Sequence, residues 1–117
     1  MERPDVDEQP AGSGFVPELQ PRDGDLVVVK RTIGAFYGTG LAERLRERGV
    51  DTVIMAGLAT TMGVESTGRA AADHGFDVVF VSDAMSGMTA AEHEHALAVV
   101  LPRFGEVCTT EQLLARL

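Results

Sequence analysis

The stretch DTVIMAGLATTMGVESTGRAAADHGFDVVFVSDA, residues 51–84, decides the fold. Thr52 to Ala56 form a short apolar strand that runs into a glycine and then into small and hydroxyl-bearing residues. Residues 61–74 follow with helical character and carry Gly63, Gly68, Ala70, Ala71 and Ala72, which suits close packing on a sheet. Gly75 ends that helix, and DVVFVSDA is a second apolar strand. A strand, a helix and a further near-continuous apolar strand read as a parallel crossover unit with strands buried on both faces.

Outward from this unit the same alternation continues. Upstream, DLVVVK (residues 25–30) predicts a buried strand, and the glycine-punctuated loop GAFYGTG leads into a helix from about Gly40 to Arg48, with Gly49 as its C-cap. Downstream, Thr89 and Glu92 have the spacing of a capping box and open a helix with Leu97, Val100, Leu101 and Phe104 on one face. Pro102 is expected to kink that helix or end it early. EVCTT predicts a short final strand, and Thr109 with Gln112 repeats the cap spacing before a last helix, EQLLARL. The order β-α-β-α-β-α-β-α predicts an α/β fold: a three-layer α/β/α, Rossmann-like parallel sheet with helices on both faces. Residues 1–24, with Pro4, Pro10, Pro17 and Pro21, predict a flexible N-terminal arm, and residues 25–117 the domain.

Composition narrows the function classes. The chain has 117 residues, room for one domain with a real core but not for two. A net charge of −8 leaves no basic footprint for nucleic acid. Arg44, Arg46 and Arg48 alternate with Glu43 and Glu47, the pattern of a solvated helix face. No apolar run reaches the roughly 18 residues of a membrane span. The N-terminus lacks the apolar core of a signal peptide, and a single cysteine fits the reducing cytoplasm.

In an open parallel sheet, ligands bind beyond the carboxyl ends of the strands. Those ends are Lys30, the GLAT segment and the SDAM segment. Lys30 either holds a developing anion in that cleft or covers the sheet edge with its stem while its ammonium reaches water. GLATTMG either supplies backbone N–H donors from Ala59 and Gly63 to an oxyanion or is a plain strand–helix turn capped by Thr60 or Thr61. His93, one turn before Leu97, reads as a packed or capping histidine, since His93 and His95 point opposite ways and cannot share a metal ion. His74 fits a C-terminal dipole partner, Cys108 a small buried hydrophobe, and Asp83 either a cleft residue or a cap.

Taken in order, Lys30, then AFYGTGL, then GLATTMGVEST, then SDAM and a following E-x-H resemble the isochorismatase-like hydrolase family, over about residues 20–117. The likeness is to a subgroup with glycine where the family's nucleophilic cysteine stands. The resemblance implies the following expectations. Amidase members use an Asp, Lys and Cys triad; Lys30 matches the lysine and Gly63 the cysteine position. Leu58–Ala59 matches the family's non-proline cis peptide, which aims the amides of Ala59 and Gly63 at an oxyanion. Leu58, Ala59, Gly63, Phe36 and Thr60 are the substrate-contacting positions. Members that cleave the vinyl ether of isochorismate need an acid and a lysine but no thiol.

The family's catalytic aspartate ends an apolar first strand, and no such run precedes Lys30; Asp5 and Asp7 lie in the polar arm and do not match it. The chain therefore reads as a family member that begins late, lacking the first two strands and the helix between them. The Lys30 strand and the TVIMAG strand, separated in the family by that first strand, must then pair directly, gape, or accept a strand from another chain. The implied function is hydrolysis of a small carbonyl or vinyl-ether substrate without a cysteine nucleophile, with little or no activity in this chain. The alternative is a non-catalytic module for binding or oligomerisation. No metal or cofactor is implied; the expected partners are a small-molecule substrate and further copies of the chain.

Overall fold

Three parallel strands carry the architecture. In the computed structural model, which describes residue 12 and residues 14–117, they are β1 (Thr52–Leu58), β2 (Asp77–Ser86) and β3 (Glu106–Cys108), hydrogen-bonded in that order. Thr52 pairs with Asp77 and Met55 with Phe80; beyond Met55 the register jumps, so that Gly57 pairs with Met85 and Leu58 with Ser86. Val79 to Val81 pair with Glu106 to Cys108. Helix α1 (Leu41–Glu47) precedes the sheet, and a wide turn (Thr60–Val64) continues into α2 (Glu65–Asp73). Helix α3 (Ala90–His95) is followed by a wide turn at Ala96–Val100 and a tight one at Leu101–Arg103; α4 (Thr110–Leu114) follows β3. Pro102 has no N–H to continue the helical ladder, so the helix unwinds around it as the sequence predicts.

Both crossovers step the same way across the sheet, which puts their helices on one face. Met55, Val78 and Phe80 point to that face and join Val64, Ala71, Ala96 and Leu101 in the main core. Phe80 and Leu101 are fully buried, each contributing about 1.5–3 kcal/mol of apolar burial. Phe80 sets a requirement on α2: a Cβ on Gly68 would stand 2.5 Å from its ring, so only glycine lets helix and sheet approach this closely. On the opposite face Val79, Val81 and Cys108 are buried on the side of α4. Helices on both faces of a parallel sheet are as expected.

Two helix ends follow directly from sequence. Gly49 and Gly75 have φ of +72° and +90°, and each donates to the third residue before it: Gly49 to the Arg46 carbonyl, Gly75 to Ala72. Val50 and Phe76 reach back to Leu45 and Ala71, completing the same terminating motif twice. At α4, Thr109 and Gln112 form the full reciprocal capping box. At α3 only half of it forms: the Thr89 hydroxyl accepts from the Glu92 N–H but donates to the Glu92 carboxylate.

The predicted strand at residues 25–30 is corrected. Those residues have no sheet partner; Leu26 and Val28 are half-buried, whereas Val27 and Val29 remain 48% and 50% exposed. A strand exists only through the ladder it makes with a neighbour, and among the described residues β1 pairs with β2 alone, which leaves its other edge without a described partner. Direct pairing of the two segments is thereby excluded. On the face of the sheet toward α4, Ile54 of β1 is 46% exposed, beside a groove of about 600 Å3 lined by Ile54, Val79, Phe104, Leu113 and Leu117. Of the arm, residues 14–24 contain turns only, and Arg48 fixes its end by donating to the Gly24 carbonyl at 2.8 Å. Arg46 is also engaged: it donates to the His74 carbonyl at 2.7 Å and lies over the Phe76 ring, tying α1 to the end of α2.

Candidate active site

Lys30 bends onto its own loop. Its Nζ donates to the carbonyls of Thr32 and Ile33, both at 2.9 Å. The next residues track along the helical stretch 60–73. The Ile33 carbonyl lies 3.6 Å from where a Cβ on Gly63 would stand, and a Cβ on Gly34 would come within 2.8 Å of Ser66 Oγ. The Ala35 N–H donates to buried Thr67 Oγ1 at 3.0 Å. Positions 63, 66 and 67 share one helix side, so the loop is docked along that side. The Lys30 ammonium and Gly63 thus both approach a single carbonyl, that of Ile33.

The turn that carries Gly63 leaves the carboxyl end of β1. The Leu58–Ala59 peptide bond is cis. The Ala59 carbonyl accepts from the N–H groups of Met62 and Val64 at 3.0 and 3.1 Å. The Leu58 carbonyl is 3.4 Å from the Gly63 Cβ position, an ordinary contact, and Gly63 does not have positive φ. Space and backbone therefore both admit a side chain at residue 63. Leu58 is 80% exposed, with Ile33 and Met62 as further exposed apolar side chains on the same turn and loop.

The remaining predicted positions make contacts of their own. Ala59, not Thr60 or Thr61, occupies the cap of the helical stretch. Thr60 is fully buried, and its Oγ1 is hydrogen-bonded to His93 Nδ1 at 2.7 Å, so its hydroxyl faces α3. Phe36 is turned into the core against the rings of His74 and Phe76, which sit at the amino end of β2, the end of the sheet opposite Gly63. Asp83 accepts from both the N–H and the hydroxyl of Thr110 at 2.7 Å and so fastens the start of α4. These bonds, the hydroxyl's first, hold its carboxyl below the usual carboxylate range. Cys108 is buried, with the Arg116 guanidinium 3.9 Å from its sulfur.

Among the described residues no carboxylate forms an ion pair with Lys30, and no group of three or more His, Cys, Asp or Glu side chains is arranged to hold a metal ion. Asp5 and Asp7 lie outside the described residues. Sequence reasoning missed the bond between Thr60 and His93. Its only signal was the inward position of His93 one turn before Leu97, which gave no partner.

Residues 2–112 match the isochorismatase domain family. The chain belongs to the isochorismatase family. It is 49% identical over 100 residues to the uncharacterized isochorismatase family protein YwoC of Bacillus subtilis (strain 168), covering 86% of this chain and 53% of that one. It is 30% identical over 105 residues to a maleamate amidohydrolase of Pseudomonas putida, covering 90% and 49%. Among solved structures, an isochorismatase-like hydrolase from Alkaliphilus metalliredigens superposes with a TM-score of 0.85 at 35% identity, over 90% of this chain and 57% of that one. The chain spans about half the length of the curated relatives it matches. The α/β fold and the isochorismatase-like hydrolase family are those that the sequence implies. Among the described residues no helix is long and apolar enough to cross a membrane.

Proposed function

We propose that this chain carries the lysine and anion-binding portion of a hydrolase site, for a small carbonyl or vinyl-ether substrate and without a cysteine nucleophile. The observation that carries this reading is the meeting of Lys30 Nζ and Gly63 at the Ile33 carbonyl. Negative charge developing on a substrate oxygen would be met by the ammonium and by the Ala59 and Gly63 amides, at the start of a helical stretch whose dipole favours it. The exposed side chains of Leu58, Ile33 and Met62 offer the apolar part of a small substrate its contacts.

Chemistry on a vinyl ether also needs an acid to protonate the alkene, and general acid catalysis is worth about 10²–10⁴-fold. Among the described residues no carboxylate is ion-paired with Lys30, so turnover by this chain is expected to be slow. A panel of vinyl-ether, ester and amide substrates tests the reading. Saturable hydrolysis of one class supports it, and its loss in Lys30→Ala, with the thermal unfolding midpoint kept, assigns the lysine. Hydrolysis that survives Lys30→Ala overturns the assignment.

A second reading is favoured by the edge of β1 that has no described partner and by the exposed Val27, Val29 and Ile54: assembly with further copies of the chain. It predicts no turnover across the panel and a light-scattering mass that is a multiple of 12.4 kDa. A monomer at all concentrations refutes it.

A further inference from the structure

We infer that His93 is a positioning residue for the turn that carries Ala59 and Gly63, acting through Thr60. The inference rests on the anion-binding reading of that turn. Thr60 begins the helical stretch, and its buried hydroxyl has His93 Nδ1 as its partner, 33 residues away in sequence. A buried hydroxyl without a partner is costly, so the bond fixes where Thr60 sits and, one residue either way, where the peptide planes of Ala59 and Thr61 lie.

His93 is itself held on two sides. Its N–H donates to the Thr89 carbonyl, and Thr89 caps α3. Gly87 lies against it so closely that a Cβ there would come within 3.3 Å of the His93 Cβ. Gly87 directly follows Ser86, which pairs with Leu58 at the end of β1. A closed circuit therefore runs from Leu58 through Ser86, Gly87, His93 and Thr60 back to Ala59. Every link except the one between His93 and Thr60 is backbone or close packing, which makes that side-chain bond the one adjustable member. A histidine satisfies it in either tautomer, as acceptor from the Thr60 hydroxyl or donor to it.

The test uses the 15N-labelled full chain and four variants: His93→Leu, His93→Asn, Thr60→Val and the Leu/Val double variant. An asparagine places a polar atom at the same remove from Cα as Nδ1, so it can restore the bond. The first readout is hydrogen exchange at the Met62 and Val64 amides, which both donate to the Ala59 carbonyl. His93→Leu and Thr60→Val should each speed that exchange about tenfold relative to the amide of Phe80, the double variant no further, and His93→Asn should return it to near the wild-type rate. The second readout is sodium acetate titrated as the probe, followed at the Ala59 and Gly63 amides. Affinity should fall about fivefold in His93→Leu and recover in His93→Asn, as expected when donors lose their preorganisation.

Unchanged exchange in His93→Leu overturns the inference. So does additive exchange in the double variant, or altered exchange with acetate affinity intact, which leaves His93 a packing residue. If acetate moves neither amide in the wild-type chain, the anion-binding reading itself has failed. The exchange result then decides alone whether His93 holds the turn.

Discussion

A thiol at position 63 would measure how strongly the Lys30 ammonium acts on that position. Gly63→Cys builds a Cβ 3.4 Å from the Leu58 carbonyl and 3.6 Å from that of Ile33, contacts that need no rearrangement. Glycine inside a helix costs about 0.5–1 kcal/mol relative to alanine, so the variant should be no less stable than the wild type. The Lys30 Nζ lies 2.9 Å from the same Ile33 oxygen, so a rotamer that turns the new sulfur toward the ammonium brings the two within roughly 6 Å. At that distance a unit charge pair is worth about 0.7 kcal/mol in water and about 3 kcal/mol at an effective dielectric constant of 20. At about 1.4 kcal/mol for each pKa unit, the thiol should titrate roughly 0.5–2 units below its ordinary value of about 8.5. The assay is the rate of alkylation by iodoacetamide against pH, in a Cys108→Ala background so that the new thiol is the only one. Adding Lys30→Met should return the titration to about 8.5. A thiol that titrates at the ordinary value whether or not Lys30 is present would refute the shared site.

Gly68→Ala pushes a methyl group into the fully buried Phe80 ring at 2.5 Å; overpacking of about 1–3 kcal/mol outweighs the helix-propensity gain of about 1 kcal/mol. Urea unfolding should show a net loss of up to about 2 kcal/mol, and a stabilised variant would mean that the ring has room to move. Asp83 has a folded pKa below its unfolded one, so its contribution is complete above the ordinary carboxylate range and is lost as pH falls through the folded value. Asp83→Asn should therefore lower the unfolding midpoint at neutral pH, and the gap to wild type should close in acid. A gap independent of pH would detach Asp83 from the hold on Thr110. Replacing Ile54, on the exposed face of β1, with lysine should leave the core intact and the thermal midpoint nearly unchanged. A large loss would show that this face is already covered.

Most of the architecture was legible because it is encoded locally. The apolar runs of β1 and β2 are continuous in sequence, Gly49 and Gly75 sit where a helix must turn left-handed, and Thr109 with Gln112 forms the cap its spacing announces. Residues 25–30 were misread for a physical reason. DLVVVK has the composition of a buried strand, but pairing is a property of two segments, and the neighbour is not among the described residues. Phe36 was assigned to the cleft because the resemblance aligned it there, whereas its ring completes a cluster with Phe76 that no local pattern specifies. The strand ends placed Lys30 and the GLATTMG turn at one cleft, and the family resemblance gave the two positions their separate roles. Their meeting depends on a loop docked along one side of a helix about thirty residues away. The bond between Thr60 and His93 joins two segments through one side-chain contact and left no periodic trace.

The claim that Lys30 and the 58–63 turn act on one substrate is tested most directly by kcat/KM for the wild-type chain and Lys30→Met, side by side. The substrates are a vinyl ether and an amide, with folding checked by circular dichroism. Removing one oxyanion-binding group typically costs about 10²–10³-fold, and a loss of that size with the fold intact is the predicted result. Equal kcat/KM in the two proteins would contradict the account.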